Sequence, residues 1–415
     1  MYWSRTNPVM TITNEERRVV LYATSEKPTD PSCVTPETPL SELNLNWRER
    51  DLPEGERTKH VHRLHPYLGK FIPQLVEIFL RKYFSPGQTV LDPFVGSGTT
   101  LVQANELGVS AVGYDVSAFN VLLSRAKTNR YDLRKARREL LDILEKVRQA
   151  TQLGARQLSL WGSNEKSERV SQSNEYLQKW YAPDALQELL TYRDLISNYE
   201  DQDILKIILS RSARSARLTT HFDLDFPKSP QTEPYWCYKH SRLCEPTRDA
   251  FQFLKRYSLD TIQRLEEFAR RRTNAKTVVK HEDSRYADIP RVDGVITSPP
   301  YVGLIDYHEQ HRYAYELLGL EDRANSEIGA AKQGASQKAR QEYQESIAQV
   351  FRRVCLPMPA GGHLIVVAGD RHGLYDEIAR LCDVEVEAVL QRHVNRRTGR
   401  RASEFYESVF IWRKP

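Results

Sequence analysis

The chain has 415 residues, 40% hydrophobic and 28% charged, with a formal net charge of +5, enough for about two to three domains or one large domain with an insertion. No apolar run approaches the ~20 residues that a bilayer-spanning helix needs. The opening MYWSRTNPVM lacks the basic start, apolar core and small-residue cleavage site of a secretory signal, so the expectation is a cytoplasmic protein with no membrane role. Five cysteines, odd in number and scattered, exclude a disulfide framework. Cys237 and Cys244 flank His240, but six residues separate them and no second ligand pair follows, so no metal is expected.

Residues 1–58 are polar and rich in Pro, Thr, Ser and Glu, which predicts an irregular, partly disordered arm. Order is expected from residue 59 on. In KFIPQLVEIFLRKYF the apolar Ile72, Leu75, Val76, Phe79, Leu80 and Tyr83 recur with the period of an amphipathic helix, and Ser85-Pro86-Gly87 ends it. TVLDPF then predicts a buried strand, VGSGTT a glycine-rich turn, LVQANELG a helix closed by Gly108, and SAVGYD a second strand. This is half of a doubly wound parallel sheet, occupying residues 59–121.

Residues 122–275 turn mostly helical, polar and basic, with an irregular aromatic stretch at 221–246, and are expected to form an insertion. RAKTNRYDLRKARR (125–138), RSARSAR (211–217) and, further on, RHVNRRTGRR (392–401) are candidates for contacts to phosphates, although a charge run is more often a solvated face. The segment RLTTHFDLDFPKSP (217–230) reads equally as a DNA-contacting loop or a surface excursion. Strands resume across 276–415 with KTVVKHED, DGVITSPPY, GGHLIVVAGD, VEVEAVLQRHV and EFYESVFIWRK, the last two expected as an antiparallel edge hairpin. The fold class expected is α/β, a mostly parallel mixed sheet with a largely helical insertion.

Three acidic residues fall at successive strand ends. A buried strand delivers Asp92 to the carboxyl edge of the sheet, where Gly96 and Gly98 permit a tight turn and the next helix begins at Ser97 and Thr99. Such a turn suits a small-molecule cradle, though alone it could be a simple tight turn. Asp115 lies about 20 residues beyond it, the spacing at which a carboxylate bonds ribose hydroxyls in this topology. Asp283 follows the strand that enters HEDSR, at the neighbouring edge position expected for an adenine ring. In ITSPPY a strand stops at Ser298, and Pro299 and Pro300 stiffen the chain and remove backbone donors. There the Ser298 oxygen and Pro299 carbonyl can accept from an exocyclic amino group while Tyr301 stacks on a flat base.

Together HPYLGKF (65–71), DPFVGSGTT (92–100) and TSPPY (297–301) resemble the amino-methylating DNA methyltransferases, which act on N4 of cytosine or N6 of adenine. The resemblance implies a Rossmann-like methyltransferase fold that uses S-adenosylmethionine. Asp92, Pro93, Phe94, Gly96, Ser97, Gly98, Thr99, Thr100, Asp115 and Asp283 would hold this cofactor, with Lys70 and Phe71 closing over its methionine end. Ser298, Pro299, Pro300 and Tyr301 would receive a base flipped out of double-stranded DNA. A cognate restriction nuclease is a candidate further partner. The insertion departs from the family pattern in preceding the Asp283 strand rather than the catalytic one.

Serine at the head of the box leans toward cytosine N4, since adenine enzymes of this family more often carry aspartate. Methylation at carbon-5 is disfavoured, because no Pro-Cys pair supplies the nucleophile. The rival readings are an RNA amino-methyltransferase and a non-catalytic DNA-binding protein of the same fold. A dinucleotide oxidoreductase is weaker still, because GSGTT lacks the third glycine of its fingerprint.

Overall fold

A computed structural model describes residues 20–21, 25–69, 71–161, 174–221, 223–394 and 405–415, with side chains undescribed at 152–161. The helix read from periodicity runs Pro73–Tyr83, with proline at its first turn, and buries Leu75, Val76, Ile78, Phe79 and Leu80. Beside β1 (Val20–Leu21), the strands are β2 (Thr89–Asp92), β3 (Ser110–Tyr114), β4 (Tyr235–Cys237), β5 (Arg242–Cys244), β6 (Thr277–Lys280), β7 (Gly294–Thr297), β8 (His363–Ala368), β9 (Glu385–Val394) and β10 (Phe405–Arg413). Eight of them make one sheet in the order β1-β9-β10-β8-β7-β2-β3-β6, and β4 with β5 make a separate hairpin.

The order explains where a ligand can bind. From β2 the chain steps outward through β3 to β6, each pairing in parallel, then returns to the other side of β2 as β7 and continues to β8. The direction of winding therefore reverses between β2 and β7, and such a reversal leaves a crevice beyond the carboxyl ends of the two strands. Along β8 successive residues face opposite cores. Leu364 and Val366 meet the helices Gln337–Cys355 and Tyr375–Leu381, whereas Ile365 and Val367 meet Pro73–Tyr83 and Thr99–Glu106.

The expected terminal hairpin forms, since β9 and β10 pair antiparallel, but it is not an edge. Strand β10 also pairs antiparallel with β8 and lies inside the sheet, while β1 runs parallel along the outer side of β9. The cause is visible in β10 itself: Val409, Phe410, Ile411 and Trp412 are all buried, a run that is apolar on both faces. Residues 25–58 of the arm are irregular but packed. Val34, Leu43 and Leu45 join the core beneath the sheet, and the Asn46 side chain accepts from the backbone of His393 at 2.6 Å. Residues 1–19 lie outside the described residues.

Within the insertion, helices Leu133–Trp161, Glu175–Trp180, Pro183–Leu195, Gln202–Ala216 and Phe251–Ala269 pack around their own core. That core also takes Phe119 from the helix after β3 and Tyr313 and Leu317 from the segment after β7. The run at 211–217 turns inward, whereas Arg125, Arg130, Arg134, Arg137 and Arg138 of the run at 125–138 stay exposed. Arg125 bonds the carbonyl of Val279, Lys127 that of Ser97 and Arg130 that of Thr273. Arg211 pairs with Asp260, Arg214 with Asp225, and Arg217 bonds the carbonyl of Leu224. Arg211, Arg214 and Arg217 thus fasten this run to a neighbouring helix and loop. The run at 392–401 lies outside the described residues from 395 on, and its Arg392 pairs with Glu407.

Gly294 tests the spacing of β7 against β8. A Cβ there would stand 2.7 Å from the carbonyl oxygen of His363 and 2.8 Å from the Phe84 ring. Gly294→Ala is expected to cost about 1–3 kcal/mol, read as a lower urea midpoint at unchanged slope. An unchanged midpoint would contradict the packing of these two strands.

Candidate active site

The loops after β2 and β7 open side by side. The Thr297 hydroxyl, at the end of β7, donates to the Asp92 carboxylate at the end of β2 over 2.6 Å. One residue earlier in β7, the carbonyl of Ile296 accepts from the Thr100 hydroxyl at 3.2 Å. Asp92 is fully buried and also accepts from the backbone of Phe94 at 3.1 Å. Burial raises its carboxyl to about 6, against the opposing pull of the Thr297 hydroxyl and the other donors.

The glycine turn is bound from behind. Gly96 and Gly98 have φ of +47° and +77°, and a Cβ on Gly98 would strike the Ser124 hydroxyl at 2.8 Å. On the rear side the Ser124 hydroxyl donates to the Gly96 carbonyl at 2.9 Å, and the buried Lys127 ammonium to the Ser97 carbonyl at 2.6 Å. With its carbonyls held there, the turn faces the crevice with its other groups. Asp115 accepts from the backbone N–H of Gly96 (2.9 Å) and Ser117 (2.9 Å) and from the Asn120 amide (3.1 Å). Burial lifts its carboxyl to about 6 despite these three donors.

These groups line a crevice of about 770 Å³. From the sequence-predicted set, Phe71, Pro93, Phe94, Gly96, Ser97 and Thr99 line it beside Asp115 and Asp283, and Ser298 and Pro300 form the facing wall. Asp92, Gly98, Thr100 and Pro299 are not among the lining residues, while Lys70 lies outside the described residues. The Ser298 hydroxyl donates to the Val367 carbonyl at 2.9 Å, which leaves its lone pairs for an incoming donor. Asp283 is less free than expected: Arg285 grips both its carboxylate oxygens, at 3.0 and 2.6 Å.

Tyr301 does not reach this crevice. Its hydroxyl donates to Glu407 at 2.9 Å, its ring lies 6.4 Å from that of Phe405, and it lines a second recess of about 220 Å³ with Tyr343, Gly369, Asp370 and Tyr375. The Ser298–Tyr301 run thus contributes to both recesses.

Sequence reasoning missed other wall residues. Tyr67 and Tyr307 stack at 5.8 Å and line the crevice with Asn120, Glu282 and Glu327. Tyr67 belongs to HPYLGKF, so that motif carried a signal beyond Lys70 and Phe71. Tyr307 opens the short helix Tyr307–Gln310, and His311 just beyond it is buried against Phe119 at 4.2 Å.

The crevice fits a nucleoside-bearing ligand on its own chemistry. The Ser97 and Thr99 hydroxyls and the Asn120 carbonyl oxygen are buried without a hydrogen-bond partner among the described residues, and each of these side chains lines it. Unpaired buried polar groups are costly unless a ligand satisfies them.

Comparison with known proteins agrees with this chemistry. The N6/N4 family model described as DNA methylase matches residues 14–124. The Type II methyltransferase M.MjaII of Methanocaldococcus jannaschii is 37% identical over 86% of this chain and 81% of its own length. M.MvaI of Kocuria varians, also a Type II methyltransferase, is 24% identical over 63% of this chain and 55% of its own. The crystal structure of TrmN from Thermus thermophilus aligns with a TM-score of 0.33 and 11% identity over 84% of this chain and 50% of its own, too low to carry weight. With the winding reversal, the glycine turn and the SPPY loop on one crevice, and with the M.MjaII match along most of both chains, this protein belongs to the amino-methylating DNA methyltransferases, whose methyl donor is S-adenosylmethionine.

Proposed function

We propose that this protein methylates N4 of a cytosine flipped out of a specific site in double-stranded DNA. The observation that carries the reading is the Asp92–Thr297 bond, which holds the glycine turn and the SPPY loop on one crevice. S-adenosylmethionine, when bound, supplies an already activated sulfonium methyl, so the chain has to orient an acceptor and exclude water. Asp115 is assigned to the ribose hydroxyls, with Ser97, Thr99 and Asn120 pairing their unmet groups against the same molecule. Asp283, already held by Arg285, shapes the adenine end. Phe71 covers the apolar side, and Lys70 is assigned with it from the motif.

On the acceptor side, the Ser298 oxygen and the Pro299 carbonyl draw on the hydrogens of the amino group. This turns the nitrogen lone pair out of ring conjugation as the methyl approaches. The base is assigned to stack on Tyr301, whose hydroxyl Glu407 holds. Cytosine is preferred because serine heads the box, as in the cytosine enzymes that the motif resembles. The Type II names of the relatives support a role in protecting a recognised site from a cognate nuclease. No helix among the described residues is long and apolar enough to cross a membrane.

DNA incubated with the protein and S-adenosylmethionine, then digested to nucleosides, should contain 4-methylcytosine. Finding only 6-methyladenine would reassign the base, and transfer to tRNA but not DNA would favour the RNA reading. Tyr301→Ala should lower turnover by about 10- to 100-fold, the worth of about 1–3 kcal/mol of stacking, while calorimetry finds cofactor affinity nearly intact. An equal loss of cofactor affinity would remove Tyr301 from the base. The ionised form of Asp115 accepts from ribose, and its raised pKa of about 6 sets the window. Cofactor affinity should therefore be full at pH 8 and fall as pH drops through about 6. A dissociation constant that stays level down to pH 5 would exclude that contact.

A further inference from the structure

The β4/β5 hairpin gathers four metal-ligand side chains away from the methyl-transfer crevice. His221, Cys237, His240 and Cys244 each bring one ligand atom to within 4.8 Å of all the others. Sγ of Cys237 lies 3.6 Å from Nδ1 of His221 and 3.6 Å from Nδ1 of His240, and Sγ of Cys244 lies 3.5 Å from Nδ1 of His240. Zinc takes sulfur at about 2.3 Å and nitrogen at about 2.0–2.1 Å, so a tetrahedral angle sets S and N about 3.5 Å apart. The spacing matches the edges of a zinc tetrahedron. By contrast, the cluster of His60, His62 and Glu106 already holds a cation, the Lys59 ammonium 2.9 Å from Glu106.

A second observation points the same way. Cys237 pairs with Arg242 and Cys244 with Tyr235, so the two cysteines sit diagonally on one face of the hairpin. They are 3% and 7% exposed and form no disulfide, while Trp236 and Leu243 on the opposite face are 55% and 65% exposed. Neither cysteine belongs to any of the three hydrophobic cores. Two strands of three residues each cannot stand alone in water, and this hairpin turns its large apolar side chains outward. The hairpin therefore lacks a hold on its cysteine face among the described residues.

We propose that these four side chains bind one zinc ion as a closed structural site, through Nδ1 of both histidines and Sγ of both cysteines. Binding sends the two thiol protons to solvent, and the thiolates neutralise the dication. The Tyr235 hydroxyl, 2.9 Å from Nδ1 of His221, keeps its second contact with the His221 backbone N–H at 3.0 Å when the ring turns to the metal. Sequence reading set zinc aside because it sought another ligand pair after Cys244. The fourth ligand comes instead from upstream, within the irregular stretch before β4. With all four positions filled by protein, the ion has no open site for substrate.

Elemental analysis of the full-length protein, purified under reducing conditions and reconstituted with zinc sulfate, should find about one zinc per chain. Cys237→Ser, Cys244→Ser and His221→Ala should each lose it. Cobalt(II) in place of zinc should show thiolate charge-transfer absorption that Cys244→Ser abolishes. Should the variants fail to fold, the wild-type chain still decides: Cys237 and Cys244 resist alkylation until a chelator is added, as mapped by mass spectrometry. Calorimetry with S-adenosylmethionine, expected to be unchanged in the variants, separates this site from the methyl-transfer crevice. A wild-type chain without zinc after reconstitution, or zinc retained in Cys237→Ser, overturns the proposal.

Discussion

One hydrogen bond fixes where chemistry can occur. Strands β2 and β7 are neighbours across the reversal of winding, yet about 200 residues of chain lie between them. Their loops would be free to diverge past the last ladder pair. The Thr297–Asp92 bond ties them at the point where divergence would begin, in a fully buried setting where water cannot compete. The glycine turn, held by Ser124 and Lys127, and the SPPY loop, held by Val367 and Tyr343, are then two rigid walls set by the sheet.

The carboxylates on this edge divide their work. Asp92 is spent on architecture, Asp283 is closed by an arginine, and Asp115 couples the two roles, since the same carboxylate that stiffens the turn also faces the crevice. Burial without a cationic partner drives both Asp92 and Asp115 upward.

Local pattern revealed what local physics dictates. The helix Pro73–Tyr83, the β2–turn–helix–β3 unit and the stop of β7 before Ser298 follow from periodicity, glycine and proline alone. Features that need distant partners stayed hidden. Tyr67 meets Tyr307 across 240 positions, and the arginines at 211, 214 and 217 look free until Asp260, Asp225 and Leu224 fold against them. The edge assignment of β10 failed for a related reason: a hairpin pattern does not say what its outer strand will pair with. The fully apolar run of Val409 to Trp412 was the available sign of an interior strand.

That interior position orders events during synthesis. Strands β8 and β9 leave the ribosome with facing edges that only β10 can fill, and β10 spans residues 405–413. Until then the nascent sheet carries two unsatisfied edges, and its two halves are unjoined. An emerging polypeptide therefore cannot bring Glu407 to Tyr301 before every other strand of the sheet has been synthesised. The two halves of the sheet are joined only by its last strand.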